Sequence, residues 1–189
     1  MTAQSKLVKK PTAIHDVFVL EPKVFGDERG WFTESFNAQD FASAIEQDYE
    51  FVQDNHSFSR QWTLRGLHYQ MEKTQGKIVH VVAGSVFDVV VDIRTQSPTY
   101  GKWCGVELSA ENHQQMWIPP GLAHGFLVLT PTAEFLYKTT DYSDPKSEAC
   151  LAWTAPTGGI QWPLPEGVSP NMNAKDLFWS GTLTWKARE

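Results

Sequence analysis

The stretch "SVFDVVVDI", residues 85–93, decides how this chain folds. Alternation sends Phe87, Val89, Val91 and Ile93 to one side and Val86, Asp88, Val90 and Asp92 to the other, the period of two that marks a β-strand. Apolar residues on both sides predict a strand buried on both faces. Similar short segments lie on either side of it: "IHDVFVL" (14–20), "WFTESF" (31–36), "KIVHVV" (77–82), "CGVELS" (104–109), "QQMWIP" (114–119), "GFLVLT" (125–130) and "AEFLYKTT" (133–140). Most are bounded by Gly, Pro, Asn or Asp, so the punctuation is that of an all-β sandwich or barrel. One segment differs. In "NAQDFASAIEQD" (37–48), Asn37 can cap a helix, Asp40 sits in its first turn, and Phe41 and Ile45 lie four apart on one face. The Pro-rich "WPLPEGVSPN" (162–171) predicts an irregular wrap near the C-terminus. With no internal repeat or linker, one domain is expected over residues 1–189.

Composition excludes several classes of function. A chain of 189 residues can bury roughly two-thirds of its unfolded surface in one core, so it needs no staple. The net charge of −6 and pI near 5.5 give no general footprint for nucleic acid or an anionic membrane. Cys104 and Cys150 form no disulfide framework and no Cys-x-x-Cys pair. The first ten residues, MTAQSKLVKK, lack the apolar run of a signal peptide, and nothing approaches the roughly 20 apolar residues of a membrane span. The expectation is a cytoplasmic protein.

Polar candidates fall in five places: Arg29 and Glu34 in "DERGWFTESF"; Gln53, Asn55 and His56 in "FVQDNHSFS"; Arg65 and His68 in "RGLHYQ"; Lys77 in "QGKIVHVV"; and His124 in "IPPGLAHGF". Three cations in an acidic protein point to a phosphorylated ligand, because guanidinium groups bind phosphate oxygens in bidentate fashion. Each could equally be a surface ion pair, and His68 alone could be a hydrogen-bonded sheet residue. Trp117 and Tyr137 stand beside these groups, although sheet packing accounts for most of the aromatic residues.

"PPGLAH" (119–124) fits the Pro-x-Gly-x-x-His pattern of the second motif of the cupin jelly rolls. Metal-binding cupins carry His-x-His and then a glutamate in the first motif. Here the chain offers His68-x-Gln70 with Glu72 close behind, and Val128 stands where a further ligand is usual. Since zinc and iron sites normally take three or four His, Cys or carboxylate ligands, no metal is expected there.

A closer resemblance runs from about residue 14 to 185. "DERGWFTESF", "FVQDNHSFS", "LRGLHYQ", "QGKIVHVVAGSVFDVVVDIRTQSPTYGKW", "IPPGLAHGFLVL", "FLYKTTDYSDPKSE" and "NAKD" occur in the order seen in the dTDP-4-dehydrorhamnose 3,5-epimerases. The chain resembles that family. The resemblance implies a cupin-type double-stranded β-helix, or jelly roll, with a few short peripheral helices, and a homodimer whose N-terminal strands extend onto the partner. It also implies inversion of C3 and C5 in dTDP-4-dehydro-6-deoxy-D-glucose, on the route to dTDP-L-rhamnose. Readings left open are a single-site epimerase of another dTDP-deoxysugar and a non-catalytic sugar-binding cupin.

Removing a proton α to a ketone and returning one from the opposite face requires a base, an acid and a cation near the enolate oxygen. The resemblance assigns these tasks to His68, Tyr137 and Lys77, and assigns to Asp176 the orientation of the histidine, with Asp88 as a competing partner. The family commonly has Leu-Ser-x-Lys-Asp where this chain has Met172-Asn173-Ala174-Lys175-Asp176. For the nucleotide sugar it implies Arg29, Glu34, Gln53, Asn55, Arg65, His124, Glu148 and Lys175, with Phe25 and Tyr142 as packing surfaces. No cofactor is expected: the chain has no Gly-rich phosphate loop between a strand and a helix, and the chemistry carries no electrons.

Overall fold

The computed structural model describes residues 7–154 and 159–177. Its strands are β1 (Leu7–Pro11), β2 (Phe18–Pro22), β3 (Val24–Asp27), β4 (Gly30–Thr33), β5 (Gln53–Arg60), β6 (Leu64–Gln70), β7 (Lys77–Ala83), β8 (Ser85–Asp92), β9 (Trp103–Ser109), β10 (Gln115–Ile118), β11 (Leu122–Val128), β12 (Thr132–Thr139) and β13 (Glu148–Cys150). Two short helices, α1 (Ala38–Ile45) and α2 (Ala174–Leu177), complete the described residues. One sheet has the order β1-β2-β10-β7-β12-β5, the other β13-β6-β11-β8-β9, and β3 and β4 form a separate hairpin. All named pairings are antiparallel. Two such sheets closed on a shared core make the cupin-type jelly roll.

β8 shows why both of its faces are apolar. Val86 and Val90 join Val79, Val81, Met116, Ile118, Phe126, Val128 and Phe135 between the sheets. On the outer face, Val89, Val91 and Ile93 meet Leu67 of β6, Leu151 just after β13, and Ile160. Phe87 lies edge-on to Trp162 at 6.0 Å. Full burial of each such side chain contributes about 1.5–3 kcal/mol, which favours this register over a one-residue slip that would swap the faces.

α1 covers the outside of the other sheet. Asn37, in extended conformation, accepts from the backbone N–H groups of Gln39 and Asp40, and Glu46 ends the helix in the left-handed region. Phe41 is thereby buried among Leu20, Ile78 and Trp117. Several expected strands are displaced at their ends: β2 begins at Phe18 because residues 14–17 form a turn closed by Val17 N–H on the Ile14 carbonyl, and β11 begins at Leu122 rather than Gly125. Two strands had no apolar period to announce them. β1 reads LVKKP, and β5 reads QDNHSFSR.

Candidate active site

Between the two sheets lies a cleft of about 90 Å³ lined by Gln53, Asn55, His68, Tyr69, Gln70, Gln75, Lys77, Tyr137, Ser143 and Glu148. The first sheet supplies one wall. Tyr137 on β12 has Asn55 and Val79 as its cross-strand partners, and Thr139, two residues on, has Gln53 and Lys77. A period of two therefore turns Asn55, Tyr137, Gln53 and Lys77 inward together. Asp54 and His56 point the other way, where they pair with Lys138 at 2.8 Å and with Glu134 at 2.8 Å.

The second sheet supplies His68, on β6. Its Nε2 lies 2.6 Å from Oδ1 of Asp176, whose residue is only 3% exposed. With the Nε2 proton directed at the carboxylate, Nδ1 is left as the unprotonated nitrogen of the neutral ring. Asp176 also accepts from the backbone N–H of Gly66 at 3.3 Å. Burial works to raise its carboxyl, yet the bonds from His68 and from backbone N–H groups outweigh it and hold the group below the usual carboxylate range. Gly66 permits this approach. At φ +111° it occupies a region that favours glycine, and a Cβ there would sit 2.6 Å from the His124 carbonyl oxygen.

Asn173 caps the start of α2. Its Oδ1 accepts from the Asp176 backbone N–H at 2.9 Å. Asp88 does not reach His68. It is fully buried and takes the Nε2 of His124 at 2.9 and 3.1 Å.

Electrostatics differ sharply across the cleft. Burial pushes the Lys77 ammonium down to about 8, against the opposing pull of the Asp88 and Glu148 carboxylates. Burial also raises the Tyr137 phenol; Glu148 adds to the rise and Arg65 works against it. Beside the dyad, burial and then the Asp176 and Glu148 carboxylates push the Cys150 thiol up to about 12. Asn55, in the cleft wall, has its Nδ2 buried with no hydrogen-bond partner among the described residues.

Not every expected site residue is gathered here. Arg65 faces a neighbouring hollow lined also by Asp176, and its Nε donates to Ser59 at 2.9 Å. Glu148 lines the cleft and Lys175 lies 3.6 Å from it. Tyr142 is exposed; its carbonyl accepts from Gln70 Nε2 at 3.3 Å and its backbone N–H donates to Asp141 Oδ1 at 2.7 Å. His124 is buried behind the cleft, stacked on Phe135. Phe25, Arg29 and Glu34 belong to the β3–β4 hairpin region and line other hollows. Arg29 there pairs with Asp27. Tyr69, Gln70, Gln75 and Ser143 line the cleft without having been expected there; Gln70 alone carried a signal, as the residue two after His68.

A sequence profile described as dTDP-4-dehydrorhamnose 3,5-epimerase matches residues 11–182. The chain belongs to the dTDP-4-dehydrorhamnose 3,5-epimerase family. Among relatives in this family, the dTDP-4-dehydrorhamnose 3,5-epimerase of Salmonella typhimurium is 56% identical over 166 residues, which cover 87% of this chain and 90% of that one. The crystal structure of dTDP-6-deoxy-D-glucose-3,5-epimerase from Legionella pneumophila, in complex with dTDP-4-keto-L-rhamnose, superposes with a TM-score of 0.86 at 50% identity and covers 90% of both chains. ChmJ, a 3'-monoepimerase from Streptomyces bikiniensis in complex with dTDP-quinovose, superposes with a TM-score of 0.81 at 33% identity, covering 88% of this chain and 84% of that one.

Proposed function

We propose that this protein is a metal-independent isomerase that inverts C3 and C5 of dTDP-4-dehydro-6-deoxy-D-glucose, giving dTDP-4-dehydro-L-rhamnose for dTDP-L-rhamnose synthesis. One observation carries the reading: His68 on one sheet, hydrogen-bonded to the buried Asp176 of α2, faces a lysine and a tyrosine of the other sheet across a cleft. His68, its ring oriented by Asp176, removes the proton next to the C4 ketone through Nδ1. Lys77 meets the enolate oxygen as charge develops on it. Tyr137 returns a proton from the opposite face, and the same groups serve both carbons because one ketone acidifies both.

Asn55, Gln53 and Glu148 hold the sugar end of the substrate, Arg65 and Lys175 the diphosphate. His124 acts from behind, as a buried partner of Asp88 beneath Lys77. Arg29, Glu34, Phe25 and Tyr142 belong to the nucleotide. Phe25 lies on a hairpin with Trp31 and Phe32, which are 61% and 64% exposed, an apolar surface suited to a homodimer in which the hairpin reaches the partner's cleft. The protein works in the cytoplasm without a cofactor, and no helix among the described residues is long and apolar enough to cross a membrane.

A single-site epimerase is the second reading, favoured by the likeness to ChmJ. Incubation with dTDP-4-dehydro-6-deoxyglucose in heavy water separates them. The double epimerase places solvent deuterium at both C3 and C5; label at one carbon alone selects the single-site reading, and retention of both original protons removes catalysis altogether.

A further inference from the structure

The relay of His68 and Asp176 has a third ionisable neighbour that the proposed reaction does not use. β13 runs antiparallel to β6 with Cys150 directly opposite His68, so the two side chains share one face of the sheet. The Cys150 thiol lies 3.6 Å from the backbone carbonyl of Leu151 and 3.9 Å from that of Asp176. Three elements, β6, β13 and α2, thus bring an imidazole nitrogen, a sulfur and a carboxylate oxygen within 4.8 Å of one another. Nitrogen, sulfur and a single carboxylate are the donor set of zinc-class ions rather than of calcium or magnesium, which take oxygen ligands.

We propose that Cys150, His68 and Asp176 form an inhibitory binding site for a thiophilic divalent cation of the zinc class. Binding follows from the three side chains alone; inhibition rests on the roles proposed above for His68 and Asp176. The site differs from that of metal-binding cupins, whose further ligands would stand at Gln70 and Val128. Here β13 supplies the sulfur instead.

The geometry is close to what the ion needs. Tetrahedral zinc with bonds of about 2.0–2.3 Å holds its ligand atoms about 3.3–3.7 Å apart. The Asp176 oxygen, now 2.6 Å from Nε2, must retreat by about 0.7 Å to reach that spacing, and the thiol must approach by at most about 1.5 Å. Both are movements of side chains about their own torsions.

Charge also balances. Asp176 and Cys150 are 3% and 7% exposed, so an entering ion loses most of its water and must be neutralised by its ligands. A thiolate and a carboxylate cancel two positive charges, and a neutral imidazole adds none. The Cys150 proton leaves to solvent. The ring proton passes from Nε2 to Nδ1, because the cation takes the Nε2 lone pair, so one proton is released per ion bound to a neutral ring. Nδ1 then carries a hydrogen and can no longer accept one from the sugar, which is why the ion stops turnover. Three protein ligands leave the fourth coordination position to water.

Cobalt(II) titrated into the full-length protein tests the proposal optically. The expected result is a near-ultraviolet thiolate-to-cobalt charge-transfer band that saturates at one ion per chain and is displaced by Zn²⁺. Cys150→Ser should lose the band, whereas Cys104→Ser should keep it. In the parental protein, saturating Zn²⁺ should lower turnover at least tenfold and EDTA should restore it, while the Cys150→Ser protein keeps its own metal-free rate under the same Zn²⁺. A missing band, or one that survives in Cys150→Ser, overturns the site. If that variant does not fold, Asp176→Asn replaces it: the band should persist with cobalt affinity at least tenfold weaker, and unchanged affinity overturns the ligand set. A cobalt band in a protein that never turns over the sugar would support the site and remove the epimerase reading. A bound ion that leaves turnover unchanged would overturn the inhibition.

Discussion

Nε2 of His68 and Oδ1 of Asp176 stand 2.6 Å apart although 108 residues separate them in the chain. A buried carboxylate at that distance fixes the ring's tautomer and stabilises the imidazolium that forms when Nδ1 takes a proton. Asp176→Asn should therefore lower kcat by about 10²–10⁴-fold, the scale of general base catalysis, while KM changes little. The Asp176 carboxyl is held below its ordinary value of 3.8. A lowered acid contributes stability that is complete above the ordinary value and is lost as pH falls through the lowered one. Chemical denaturation across pH 2 to 5 should show the Asp176→Asn protein losing less stability with acid than the parent.

On the proposed mechanism Lys77 sets the alkaline limit. Its ammonium is pushed down to about 8 in the free protein, so the charged form needed at the enolate disappears as pH rises through that value, and kcat/KM should fall above about pH 8. Lys77→Arg keeps its charge well beyond this range. Its slower turnover should show no such limb in a kcat/KM profile from pH 6 to 10, and an unaltered limb in the variant would assign it to another group.

Base and acid can be separated by isotope exchange. His68→Asn should abolish both inversion and exchange, since no group remains to take the first proton. Tyr137→Phe should leave exchange running after inversion has stopped, because His68 can return a solvent-derived proton to the face it came from. Mass spectrometry and proton NMR in heavy water should then find deuterated substrate of unchanged configuration. Inversion of both centres at the parental rate would demote Tyr137 to a packing residue.

Asn173 acts at one remove, as a positioning residue. Asn173→Ala removes the cap on the Asp176 N–H and should cost about 0.5–2 kcal/mol of stability. It should also reduce kcat more than it raises KM, because the carboxylate drifts from His68. Asn173→Ser should restore both, as serine caps the same N–H. Equal recovery of stability without recovery of kcat would confine Asn173 to a structural role.

Where side chains alternate between two environments, the fold was legible in the residues. Val86 to Ile93 announced a strand buried on both faces, and Asn37, Phe41 and Ile45 announced α1, because a period of two or of 3.6 is a local property that burial imposes on each element. β5 escaped that reading. Its inner face lines a polar cleft through Gln53 and Asn55, and its outer face carries Asp54 and His56, so no apolar period arises.

The site follows the same division. The residue types needed for proton transfer, and by resemblance their places in the chain, stood in the sequence; their distances did not. Asp176 rather than Asp88 meets His68 because α2 folds back on β6, and Asp88 is turned to His124 by the pairing of β8 with β11. Arg65 is drawn to Ser59, and Arg29 remains on a hairpin away from the cleft. Side-chain chemistry is carried by single residues, whereas spacing across two sheets depends on strand register and on long crossovers, which only the packing of the whole core selects.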